Sequence, residues 1–182
     1  MDEVGRGPLA GPVAAAIVIL DLRALPKGVD DSKKLSAQRR EALFESVIEN
    51  AVAVSFGFAS AREIDAINIR QATHLAMRRA AHGLHIRPHT VLIDGNDAPS
   101  GLPCACRTLV KGDALSLSIA AASIVAKVMR DRMMARLAAQ YPHYGFERHA
   151  GYATEDHLSA IDRHGPCPHH RLSFSPFKQA AR

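Results

Sequence analysis

Apolar residues along this chain fall into blocks whose period changes from one stretch to the next. The run "PVAAAIVIL" is continuously apolar and rich in Val and Ile, which predicts a strand buried on both faces. "PKGVDDSKKLS" breaks the pattern with Pro26, Gly28 and a polar cluster, so it reads as a loop. Ser36 then caps a predicted helix over "AQRREALFESVIEN". "AVAVSFGFAS" alternates with a period near two and predicts a second strand. A long amphipathic helix is predicted from Ser60, with Glu63 at the capping-box position, to a stop near Gly83. "HTVLIDGN" and "ACRTLVKGD" read as short strands that stop at Asp94-Gly95 and Gly112-Asp113. The run from Ala114 to Gln140 predicts one helix, apolar almost all round in its first half and therefore central. After "YPHYGF", Thr154 caps a short helix, and the tail "PCPHHRLSFSPFKQ" is irregular and basic. Strands first, then strands alternating with helices, give an α/β class with a mixed sheet flanked by helices.

Composition adds bounds. At 182 residues the chain reads as one domain, a core over 1–140 and a small extension of it over 141–182. A formal net charge of +5 favours a polyanionic partner. No apolar run reaches the roughly 18 residues of a membrane span, so no membrane is expected. The sparse cysteines Cys104, Cys106 and Cys167 fit a reducing, cytoplasmic setting. They could hold zinc with His169 and His170, but "CAC" lacks the usual finger spacing, and unrelated thiols are the preferred reading.

Four acids share one description. Asp2 and Glu3 adjoin the first strand, Asp94 ends another, and Asp113 follows a third and opens a helix. Singly, Asp94 reads as a turn acid and Asp113 as a helix cap. Together, acids at strand ends converge at one sheet edge and offer oxygen ligands to hard cations such as magnesium. Two divalent ions about 3.5–4 Å apart clamp an in-line displacement at phosphorus.

Beside them stand basic and glycine elements. Gly5, Arg6 and Gly7 form a bare loop whose backbone can approach a sugar or phosphate, or a plain turn. Lys33 and Lys34 suit phosphate contacts or a solvated surface. Lys127, Arg130 and Arg132 read as an ordinary exposed helix face. Tyr152, just before a helix, either stacks on a sugar or packs a loop onto the core.

The segments "DEVGRGPLAGPV", "DSKKLS", "VLIDGN", "VKGD…SIAAASIVAKVMRDR", "YPHYGF", "GYATEDHL" and "HHRLSF" run in one order from residue 2 to about 178. In that order the chain resembles bacterial ribonuclease HII, the type 2 ribonuclease H. The resemblance implies a ribonuclease H-like fold: a central five-stranded mixed sheet flanked by helices, with a small helical C-terminal part. It implies an endonuclease acting on the RNA strand of RNA–DNA hybrids and at single ribonucleotides in duplex DNA, leaving 3′-hydroxyl and 5′-phosphate ends. It also implies two divalent ions, Mg2+ or Mn2+, held by Asp2, Glu3, Asp94 and Asp113, and a monomer in the cytoplasm. By motif position, Gly5, Arg6 and Gly7 match the loop that senses the ribose 2′-hydroxyl. Tyr152 matches the tyrosine that packs on the junction sugar, and Lys33 and Lys34 match a backbone-contacting loop.

Three departures from that pattern stand out. Ala150 stands where many relatives have lysine, and Leu172 follows Arg171 where the tail usually has a second arginine. Met1 stands directly before Asp2, where relatives carry an apolar strand. On that ground Asp2 and Glu3 are expected on a free, fraying terminus, in a sheet without its central strand. An alternative reading follows: a catalytically impaired nucleic-acid-binding module.

Overall fold

The structure, a computed structural model, describes residues 1–26, 28 and 35–177. Lys33 and Lys34 lie outside the described residues. Strands β1 (Asp2–Val4), β2 (Val13–Leu20) and β3 (Ala51–Ala59) form an antiparallel sheet in that order. Strands β4 (Thr90–Asp94) and β5 (Ala105–Leu109) form a parallel pair. β2 lies between β1 and β3, with Glu3 opposite Ala15 on one side and Gly57 opposite Ala15 on the other.

The continuous apolar run of β2 is explained by what covers it. Ala16 and Val18 face Leu43, Phe44 and Val47 of α1 (Ala37–Asn50) and the Ala121–Val128 stretch of α4 (Leu117–Gln140). Ala15 and Ile17 face Ala76, Met77, Ala80 and Ala81 of α2 (Ala61–His82), with Val91 and Ile93 of β4. A strand with helices on both faces has no polar side, so its residues do not alternate. The alanines of α4 let that helix lie close against the sheet, and its first half is buried as its all-round apolarity predicts.

Two helices depart from the sequence pattern. α2 contains Asn68 at φ 67° and ψ 163°, a conformation that interrupts the helix, and Asn68 Oδ1 then accepts from Gln71 N–H at 3.1 Å to restart it. The single helix predicted from Ala114 is two: α3 (Gly112–Leu115) and α4, separated at Ser116, which is extended at φ −137°. The break turns the chain after Asp113 before the buried helix begins.

The C-terminal part is a 3₁₀ turn (Pro142–Tyr144), α5 (Phe146–His149) and α6 (Glu155–His164). Tyr144, Phe146, Ala160 and Cys167 pack on Met134 and Ala138 of α4 and on Ala10. The tail returns to the loop after β1: His170 bridges Ala10, and Arg171 N–H donates to Leu9 O at 2.8 Å. No helix among the described residues is long and apolar enough to cross a membrane.

The expectation of a fraying start is corrected by the packing around β1. Met1 is 2% exposed, packed with Ala15, Ile17 and Ile93. Its amino group donates to Leu92 O at 2.8 Å, and its carbonyl accepts from Asp94 N–H at 3.1 Å. β1 is therefore held by the β2 ladder on one side and by β4 on the other. Beyond Met1, Ile17–Leu20 and Thr90–Leu92 line a cavity of about 410 Å³.

Candidate active site

β1 and the end of β4 bring three of the four predicted acids into one electrostatic group. Asp2 is 8% exposed; its Oδ1 accepts from Glu3 N–H at 2.7 Å. Burial, then the charges of Glu3 and Asp94, push the Asp2 carboxyl up to about 7, partly opposed by a hydrogen bond from Ser123 of α4. Burial also raises Glu3, against the opposing pull of Arg6, whose Nη1 stands 3.4 Å from Glu3 Oε1. Asp94 is fixed at its carboxylate: Oδ1 accepts from Gly112 N–H at 2.7 Å. That bond ties β4 to α3, whose first turn carries Asp113, with Oδ1 accepting from Ala114 N–H at 2.9 Å. Lys111, immediately before α3, is left-handed at φ 57°, so the turn that presents Asp113 is locally strained.

All four donors are carboxylates, the ligand type of hard divalent cations. Burial is the main cause of the raised Asp2 carboxyl, and the neighbouring Glu3 and Asp94 charges add to it. The residues thus fit such an ion by chemistry. In their present rotamers, no group of three or more His, Cys, Asp or Glu side chains among the described residues is arranged to hold a metal.

The other predicted residues gather beside the acids. Gly5 is buried, while Arg6 and Gly7 are exposed. Gly7 faces Tyr152: a Cβ built on Gly7 would meet only Tyr152 Cε1, at 3.7 Å. Tyr152 is 47% exposed, so its ring is available rather than buried as core packing. Leu9 N–H donates to Gly151 O at 2.8 Å, stitching the glycine loop to the Tyr152 segment.

Sequence reasoning missed what supports this surface. Tyr152 O accepts from His157 Nδ1 at 2.8 Å, His157 Nε2 lies 3.1 Å from His170 Nε2, and Cys167 N–H donates to His170 Nδ1 at 2.9 Å. Only one neutral tautomer pattern satisfies all three bonds: His170 donates through Nε2, and His157 donates through Nδ1. Burial favours those neutral forms, lowering His157 and pushing His170 down to about 4. His170 is thus engaged with His157 and Cys167 rather than with a metal. One histidine in a short helix and another in a basic tail, thirteen residues apart, carry no sequence signal for this.

Arg130 was also misjudged as part of an exposed helix face. It is 0% exposed, with Nε donating to Pro12 O at 2.9 Å. The reason is the crowding of the glycine loop over the middle of α4: a Cβ on Gly5 would lie 2.1 Å from Arg130 Nε.

Comparison with known proteins bears on the chain as a whole. The family model for ribonuclease HII matches residues 1–177. Ribonuclease HII of Sinorhizobium fredii is 60% identical over 179 residues, covering 98% of this chain and 77% of the relative. Among solved structures, ribonuclease H2 from Pyrococcus horikoshii OT3 superposes with a TM-score of 0.83 at 26% identity, over 98% of this chain and 93% of that one. Bst-RNase HIII, solved in complex with Mn2+, shares the fold alone, with a TM-score of 0.74 at 20% identity over 99% of this chain and 67% of that one. With residues 1–177 matched by the family model and a curated relative 60% identical along 98% of this chain, the chain belongs to the ribonuclease HII family.

Proposed function

We propose that the chain is an endonuclease that hydrolyses the RNA strand of RNA–DNA hybrids and incises duplex DNA at single embedded ribonucleotides, leaving 3′-hydroxyl and 5′-phosphate ends. The observation that carries this reading is the crowding of Asp2, Glu3 and Asp94 beside a glycine loop that faces Tyr152. We read the two sheets as one five-stranded mixed sheet, because Met1 bonds to both Leu92 and Asp94.

Asp2, Glu3, Asp94 and Asp113 would hold two divalent ions, Mg2+ or Mn2+. When bound, such ions activate water and stabilise the leaving oxygen of an in-line displacement at phosphorus. The protein's own residues do the rest. Gly112 N–H orients the Asp94 carboxylate, and Ser123 steadies Asp2 from α4. Arg6, only loosely paired with Glu3 at 3.4 Å, is free to turn toward a phosphate. Tyr152 offers its exposed ring to the sugar at the RNA–DNA junction. The loop amides of Gly5, Arg6 and Gly7 read the 2′-hydroxyl, the group that distinguishes RNA from DNA. Lys33 and Lys34 are assigned to the nucleic-acid backbone by motif position alone.

The alternative, binding without chemistry, was motivated by a fraying terminus, and the buried, hydrogen-bonded Met1 removes that motive. Asp94→Asn separates the two readings. It should abolish cleavage of a ribonucleotide-containing duplex while leaving binding in place. Retained cleavage would remove Asp94 from the chemistry, and an unmodified chain that binds without cleaving would favour the alternative.

A further inference from the structure

The glycine loop is held from beneath by two arginines that the reaction itself does not use. Arg171, 0% exposed, donates Nη2 to Gly5 O at 2.6 Å, Nη1 to Arg6 O at 2.9 Å and Nε to Gly11 O at 3.0 Å. Arg130, also 0% exposed, donates Nε to Pro12 O at 2.9 Å and Nη2 to Ala10 O at 3.3 Å. A buried guanidinium is ordinarily matched to a carboxylate. Here, among the described residues, every hydrogen bond from either side chain goes to a main-chain carbonyl of the 5–12 segment. Arg130 Nη1 is buried with no hydrogen-bond partner. The two cations also oppose each other, and burial with the nearby Arg130 charge pushes Arg171 down to about 9, still charged at neutral pH.

An apolar side chain of equal volume would fill this space at lower electrostatic cost. What it could not do is turn the carbonyls of Gly5, Arg6, Ala10, Gly11 and Pro12 inward. The rigid fork of donors in arginine suits several carbonyls at once. Among the described residues, none of the loop and turn hydrogen bonds uses the N–H of Gly5, Arg6 or Gly7. With the carbonyls of Gly5 and Arg6 drawn toward Arg171, the loop keeps the amides of the exposed Arg6 and Gly7 for a ligand. Two buried positive charges below it also raise the potential where a polyanion docks.

We infer that Arg171 is a positioning residue that sets the 5–7 loop for ribose recognition by binding the carbonyls of Gly5 and Arg6 from inside, while Arg130 holds Ala10 and Pro12 where the segment leads into β2. The inference rests on the reading of that loop as the ribose-sensing element. A second feature anchors the arrangement: Asp65 of α2 accepts from Leu172 N–H and Ser173 N–H, both at 2.9 Å, and so fixes the segment that carries Arg171.

Arg171→Lys and Asp65→Asn test it together. The first removes the planar fork while keeping the charge. The second loosens the segment from outside the core, so it stays informative where a buried substitution fails to fold. Each is measured by thermal unfolding, by amide hydrogen exchange at residues 5–7, and by kcat and KM on a duplex with one ribonucleotide. Faster exchange at residues 5–7 and a KM raised about tenfold with kcat within about twofold, in a variant that remains folded, are expected. Unchanged exchange and KM in a folded Asp65→Asn protein, or a loss confined to kcat, would overturn the positioning role. If the parent chain does not cleave, the functional reading of the loop fails, and the exchange measurement still decides whether the arginine holds it.

Discussion

Gly5 and Gly7 stand two positions apart and lack a side chain for different reasons. Gly5 is at φ +85°, and a Cβ there would collide with Arg130. Gly5→Ala should therefore destabilise the fold, by roughly 1–3 kcal/mol or more, seen as a lower unfolding midpoint. Gly7 has an ordinary backbone, and its Cβ would make only van der Waals contact with Tyr152. Gly7→Ala should leave stability within about 0.5 kcal/mol yet reduce cleavage, because it narrows the space between loop and ring. Equal unfolding midpoints for the two variants would contradict this division. The four acids and Tyr152 were legible as residues, since acids at strand ends and an aromatic before a helix cap stand out in a sequence. Arg130 and Arg171 were not: a basic residue in a helix or a basic tail is read as solvated, and only the long-range approach of the 5–12 segment shows otherwise. The carbonyl-facing fork has no local pattern.

Among the elements, α2 shows what capping contributes. Ser60 accepts from Glu63 N–H while Glu63 accepts from Ser60 N–H, and Arg79 binds both Glu63 and Phe58 O, tying α2 to β3. Ser60→Ala should cost about 1 kcal/mol in denaturant unfolding and leave cleavage at the parent rate. A loss of activity in a stable Ser60→Ala protein would link α2 to the site in a way its contacts do not suggest. That capping box was readable from spacing, as were the four strands β2 to β5, whereas β1 was not, because three residues before a glycine loop carry no strand pattern of their own. The breaks at Asn68 and Ser116 were not readable either. Both lie inside runs that read as one continuous helix, with no Pro or Gly at the break to mark it. The order of β1 was likewise illegible, because its partners Leu92 and Asp94 lie about ninety residues away.

For the whole molecule, the acid cluster makes stability depend on pH and on metal. The fold raises Asp2 from 3.8 to about 7. The protonated carboxyl thus contributes stability that is fully present below about 3.8 and is lost as pH rises through about 7. A divalent cation held by these acids would take the place of the proton, so Mg2+ or Mn2+ should raise the unfolding midpoint at pH 8 by more than at pH 5, with roughly 2–4 °C for each kcal/mol. Asp2→Asn should be more stable than the parent at pH 8 without metal and should lose the metal response. A midpoint that ignores metal at both pH values would remove the cation from the site. Incision of a labelled DNA duplex carrying one ribonucleotide decides whether this surface cuts at ribonucleotides. With Mg2+ or Mn2+ present, the account predicts one incision at the ribonucleotide, with 3′-hydroxyl and 5′-phosphate ends, and none in the all-DNA duplex or after chelation. An intact duplex in the presence of metal, or equal cleavage of both duplexes, would contradict it.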